Sequence, residues 1–212
     1  MKYVIMCGGI YPQWETPRHL TPIKGEPIVA RTIRLLRECG VKDIAISAND
    51  KRFEGFGVPV LYHENKFKVD DEDSHWTDAF YPMDEPCCYL CGDVVFSKMA
   101  ILKIVSNKVD DIQFYASDRP FDYRYIKEWA EPFAFKVVNQ EHLKEAIRLT
   151  NQYQSEGKFK RQPVSWELWQ VIRNTELNKI LCNYCVINDY TCDIDKPEDV
   201  EKMEKVIPED EV

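Results

Sequence analysis

A short apolar strand that stops at paired glycines constrains this chain more than any other feature. Lys2–Cys7 is of strand length and apolar after its first residue, and Gly8-Gly9 follows at once. Glycines at a strand end leave backbone N–H groups open to close approach by a phosphate or a base. Thr16-Pro17-Arg18-His19-Leu20-Thr21-Pro22-Ile23-Lys24-Gly25-Glu26-Pro27-Ile28 then carries basic residues on a proline-braced loop, where they can meet the same anion. The opening of the chain points to nucleotide chemistry.

Beyond it, strands and helices alternate. The patterning predicts a helix over Pro27–Cys39 with Gly40 as its stop, then strands over Asp43–Ala48 and Val58–Tyr62. Asp73-Ser74 can cap a short helix reaching Tyr81. A strong strand, Cys87–Cys91, ends on Gly92-Asp93; a helix over Lys98–Ser106 and a strand over Ile112–Ala116 follow. Later elements are a strand at Phe133–Val138, helices at Gln140–Tyr153 and Ser165–Arg173, a strand at Tyr184–Ile187, and a helix at Pro197–Val206. This alternation predicts a parallel α/β sheet with every strand's C-terminal end on one edge, the edge where such sheets bind ligands. Gly8-Gly9 and Gly92-Asp93 both fall there. The expectation is one domain, 1–212, with 117–181 as an insertion.

With 212 residues the chain can bury a large core, and its net charge of -8 argues against binding nucleic acid or an anionic membrane. A local basic pocket for a small anion remains open. The apolar residues before Gly8 are too few for a signal-peptide core or a bilayer span, so the expected location is the cytoplasm. Among eight cysteines, Cys88/Cys91 and Cys182/Cys185 have metal-site spacing. Both pairs lie in apolar strand-like runs rather than on tight turns, so buried thiols are expected.

Three segments together resemble the nucleotidyltransferase superfamily, which includes sugar-phosphate nucleotidyltransferases and molybdenum-cofactor guanylyltransferase-like NTP transferases. They are Cys7-Gly8-Gly9 with Pro17 to Ile28, Leu90-Cys91-Gly92-Asp93-Val94-Val95-Phe96, and Cys192-Asp193-Ile194-Asp195-Lys196-Pro197-Glu198-Asp199-Val200. Their order and spacing span nearly the whole chain. The resemblance implies a Rossmann-like three-layer α/β/α fold with a mostly parallel, mixed central sheet, the nucleotide-diphospho-sugar transferase fold. It also implies transfer of a nucleoside monophosphate from an NTP to a small phosphorylated acceptor such as a sugar phosphate, with release of pyrophosphate. Polysaccharide precursor synthesis is the implied setting, and a homodimer is compatible with it.

The resemblance places Mg2+ on Asp93 and Asp195, with Asp193 as alternative or auxiliary; magnesium prefers hard carboxylate oxygens. Helix capping is the competing role for Asp195. Gly8 and Gly9 are expected to seat the nucleoside, Arg18 to steady the triphosphate, and Asp73 and Ser74 to touch base or ribose. Lys136, a charge in an apolar strand, is the candidate for the acceptor phosphate. Trp129, Trp166 and Trp169 could stack on a sugar or cage a quaternary ammonium, as a choline-phosphate cytidylyltransferase needs, or simply pack the core. The run Ile10-Tyr11-Pro12-Gln13-Trp14-Glu15 lacks the glycine and arginine that the family carries there. Triphosphate binding is then either rearranged onto Arg18, His19 and Lys24 or weakened, and a non-catalytic nucleotide-binding protein is the rival reading.

Overall fold

The computed structural model describes residues 1–9, 14–118, 130–179 and 183–211. In chain order the elements are β1 (Lys2–Met6), β2 (Pro22–Ile23), β3 (Glu26–Pro27), α1 (Ile28–Glu38), β4 (Ile44–Ala48), β5 (Val60–Tyr62), β6 (Cys87–Cys91), β7 (Val94–Val95), α2 (Lys98–Ser106), β8 (Ile112–Ser117), β9 (Pro132–Val137), α3 (Gln140–Ser155), α4 (Ser165–Ile172), β10 (Cys185–Ile187), β11 (Cys192–Asp193) and α5 (Pro197–Val206). Seven strands form the central sheet in the order β10-β8-β9-β6-β1-β4-β5. All neighbours pair in parallel except β9, which runs antiparallel to both β6 and β8. The sheet is mostly parallel and mixed, as the resemblance implied.

Strand β1 shows why this sequence makes a central strand. Tyr3, Ile5 and Cys7 enter one hydrophobic cluster, while Val4 and Met6 enter another. In β6, Cys88 and Leu90 join the first cluster, and Cys87 and Tyr89 the second. A strand buried on both faces needs apolar residues at every position, and each fully buried Ile or Leu contributes about 1.5–3 kcal/mol. Helices α1 and α2 supply the first cluster's outer layer, with Ile33 and Leu36 from α1 and Ile101 and Ile104 from α2. The second is covered by α3 and α4 through Leu143, Trp166 and Trp169.

The helix boundaries follow local chemistry. Helix α1 ends where Gly40 takes a φ of 82°, and Val41 N–H closes onto the Leu36 carbonyl at 3.0 Å. Ser97 caps α2 by accepting from Ala100 N–H at 2.8 Å. At α5, Pro197 takes the first turn and Asp199 reaches back to the Lys196 amide at 3.0 Å. The helix expected from Ser74 is a 3-10 turn, Trp76–Ala79, with His75 at its start and no side-chain cap.

Residues 132–137, within the segment expected as an insertion, form β9 in the interior of the sheet. Of the two CxxC pairs, Cys182 lies outside the described residues, and Cys88, Cys91 and Cys185 are free thiols. No helix among the described residues is long and apolar enough to cross a membrane.

Candidate active site

The site forms where β1 and β6 end side by side. Gly92 N–H donates to the Met6 carbonyl at 3.0 Å, which locks the two strand ends together. Past β1, Gly8 is packed so closely on Asn65 that a Cβ there would sit 2.8 Å from the Asn65 Cβ. Gly9 takes a φ of 112°, which favours glycine. Past β6 the chain reverses through β7, and β11 pairs with it antiparallel so that Asp193 lies opposite Val94. Ile194 N–H then donates to the Asp93 carbonyl at 3.0 Å. Residues a hundred positions apart are thereby brought into one small backbone frame.

Arg18 is buried, at 7% exposure, on a 3-10 turn, Arg18–Leu20. Its Nη2 forms an ion pair with Asp93 Oδ2. Its Nη1 donates to Asp195 Oδ1 at 2.7 Å and to the Ile194 carbonyl at 3.2 Å. Trp14 Nε1 donates to the Asp195 carbonyl at 3.1 Å. Asp195 is not the cap of α5, because Asp199 takes that role and also accepts from the Asp195 amide at 3.2 Å. Beside Arg18, His19 is fully enclosed and its pKa is pushed down to about 4. Burial dominates, Asp93 opposes it and Arg18 adds to it. The imidazole is neutral near pH 7.

Glu131, Asp193 and Asp195 bring one carboxylate oxygen each within 4.8 Å of one another. Three hard oxygen donors at that spacing fit a small divalent cation such as Mg2+. The sequence reading did not single out Glu131. It immediately precedes β9, and because β9 runs antiparallel its first residue lies at the edge where the parallel strands end. The Glu131 amide donates to Ser117 Oγ at 2.7 Å and its carbonyl accepts from Ser117 N–H at 2.9 Å, fixing it to the end of β8. The available signal was a lone carboxylate directly before an apolar strand.

These groups open onto a cavity of about 720 Å³, large enough for a small-molecule ligand. Phe67, Trp76 and Trp166 line its apolar wall, and Arg161 and Lys196 bring positive charge to it. Arg161 is held through its Nε by the buried Glu167 at 2.8 Å.

Of the expected residues, Gly8, Arg18, Asp93, Asp193 and Asp195 line the cavity together. Lys136 is placed elsewhere. Its buried ammonium donates to the carbonyls of Ile104, Val105 and Asn107 at 2.8, 3.0 and 2.6 Å, closing the C-terminal end of α2, and burial lowers its pKa. That position suits a helix-end cation rather than an acceptor-phosphate ligand. Asp73 is exposed, and Ser74 Oγ is occupied with the Lys68 backbone at 2.9 and 3.0 Å; neither lines the cavity. Lys24 turns to α5 and the residues beyond it, its amide on Glu204 and its ammonium on Glu209. Trp166 and Trp169 are both buried in the core, and Trp166 also faces the cavity. Trp129 and the run 10–13 lie outside the described residues.

The sheet order and the glycine-ended strands are those of the nucleotide-diphospho-sugar transferase fold. Within it, residues 3–70 match the model of the MobA-like NTP transferase domain family. Solved structures agree over nearly the whole chain. The inositol-1-phosphate CTP transferase from T. maritima superposes with a TM-score of 0.60 at 15% identity, covering 97% of this chain and 95% of that one. A putative glucose-1-phosphate thymidylyltransferase from Bacillus anthracis gives 0.57 at 18% identity, covering 96% and 94%. The CTP:phosphocholine cytidylyltransferase from Streptococcus pneumoniae gives 0.57 at 15%, covering 98% and 99%. No curated protein matches the sequence.

Proposed function

We propose that the protein is a nucleotidyltransferase that moves a nucleoside monophosphate from an NTP to a small phosphorylated acceptor, with a sugar phosphate as the first choice. The observation that carries this reading is the convergence of Glu131, Asp193 and Asp195 beside Arg18 at the mouth of a cavity, on the ligand-binding edge of the sheet. The match over residues 3–70 and the shared fold support it.

In the proposed reaction an acceptor phosphate oxygen attacks the α-phosphorus, a new P–O bond forms, and the bond to the β-phosphate breaks to release pyrophosphate. Glu131, Asp193 and Asp195 would hold Mg2+, which neutralises phosphate charge when bound. Arg18 brings a fixed positive charge to the phosphate end of the site. Gly8 and Asn65 both line the cavity, where the Gly8 backbone would face the nucleoside. Arg161 and Lys196 add positive charge for the second anion. The proposed setting is the supply of activated sugars for polysaccharide in the cytoplasm.

Two observations keep narrower alternatives in view. The aromatic wall of Phe67, Trp76 and Trp166 also suits a quaternary ammonium, so phosphocholine is the alternative acceptor. The sequence from Ile10 to Glu15, without glycine or arginine, favours a nucleotide-binding protein without turnover. The test is 31P NMR of the protein with Mg2+, each common NTP, and pooled sugar phosphates plus phosphocholine. A new diphosphodiester signal identifies base and acceptor together; nucleotide binding with no new signal supports the non-catalytic alternative.

A further inference from the structure

We infer that Asp93 is a positioning residue for Arg18 and not a ligand of the divalent cation. The inference rests on the transferase reading for the presence of that cation, and concerns which carboxylates serve it. Two carboxylates that end neighbouring segments, Asp93 and Asp195, would be the obvious pair to share an ion. In this chain the space between them belongs to Arg18, with Nη2 on Asp93 Oδ2 and Nη1 on Asp195 Oδ1.

The pair with Asp93 is well shielded, the side chains being 9% and 14% exposed. Arginine cannot release its charge at accessible pH, and separating a buried ion pair strands both partners. A divalent ion drawn to Asp93 would have to displace the guanidinium or sit against it, and like charges repel strongly in such surroundings. The Ile194 carbonyl, on the same Nη1 as Asp195, fixes the guanidinium further. Asp195 is more exposed, with 40% of its side chain open, so it can serve Arg18 through one oxygen and still face the cavity. The three carboxylates that converge within 4.8 Å are Glu131, Asp193 and Asp195. The planar guanidinium of Arg18 is suited to this arrangement, because a forked cation can hold two carboxylates at once.

Mn2+ binding followed by electron paramagnetic resonance, in the 212-residue chain without nucleotide, tests the assignment, with binding of a non-hydrolysable NTP analogue measured separately. Removing Arg18 and Asp93 together in R18Q/D93N keeps the net charge of the site. The double variant is expected to bind Mn2+ within about threefold of the unmodified protein, while D195N weakens it at least tenfold. R18M/D93L replaces the pair by apolar side chains and gives the same readout if the polar variant folds poorly. D93N alone should weaken the NTP analogue severalfold, and D93E should restore most of that loss. A tenfold or greater loss of Mn2+ in both double variants overturns the inference. Mn2+ binding that follows this pattern without any nucleotidyl product would count against the transferase reading while the role of Asp93 stands.

Discussion

Gly92 donates its amide to the Met6 carbonyl at 3.0 Å, and a Cβ on Gly92 would lie 2.5 Å from that same oxygen. The same Cβ would meet Cys7 Sγ at 2.7 Å and His19 Cδ2 at 3.0 Å. The obstacle includes backbone of the central strand, which cannot move without disturbing its pairing on both sides. Gly92→Ala is therefore expected to destabilise the fold by about 2–3 kcal/mol. Urea unfolding checks this, and a change below about 0.5 kcal/mol would show that the strand ends yield more readily than the geometry allows.

Lys136 gives a second stability prediction. Its ammonium satisfies three carbonyls at the end of α2 from a site that is 6% exposed. Lys136→Ala leaves those acceptors without their donor and opens space in the core, at a cost of about 2–4 kcal/mol. Once the acceptor is known, its KM should be unchanged in any folded Lys136 variant. A raised acceptor KM at full stability would return Lys136 to the site.

The neutral, buried His19 predicts a pH dependence. The unfolded chain takes up the imidazole proton near pH 6.5, the folded protein only near pH 4. Between these values the unfolded state binds more protons, so stability falls as pH falls through that window and is then constant with respect to this group. The loss amounts to about 3 kcal/mol at most. His19→Leu should flatten the wild-type slope between pH 6.5 and 4 in paired urea titrations; identical slopes in both proteins would contradict the assignment.

Much of this architecture is readable from the chain. The bounds of β6, α2 and α5 follow from an apolar run closed by Gly92 and from helix starts at Ser97 and Pro197, signals that act locally. The two-residue strands β7 and β11 carry no periodicity, yet they deliver Asp193 and Asp195 to the site. Glu131 is hidden in the sequence because antiparallel β9 presents its beginning, and not its end, at the edge where the parallel strands finish. The bridge from Arg18 to Asp93 and Asp195 depends on folding three distant segments together, so no local pattern reports it. Lys136 was misleading for a related reason: its partners are carbonyls of another element, which sequence spacing cannot show.

Glu131 is the carboxylate on which the structure and the sequence reading differ most. Glu131→Gln keeps the side-chain shape while removing its charge. The expected result is at least a tenfold weaker Mn2+ affinity by isothermal titration calorimetry, with the unfolding midpoint little changed. Unaltered affinity would remove Glu131 from the cation site.

Pyrophosphate release by the purified protein with Mg2+, the common NTPs and pooled phosphorylated acceptors tests the central claim most directly, with Asp195→Asn measured in parallel. Release is predicted to require both NTP and acceptor and to fall at least a hundredfold in Asp195→Asn. Release that persists in Asp195→Asn, or an absence of release from the unmodified protein with every NTP and acceptor despite nucleotide binding, would contradict it.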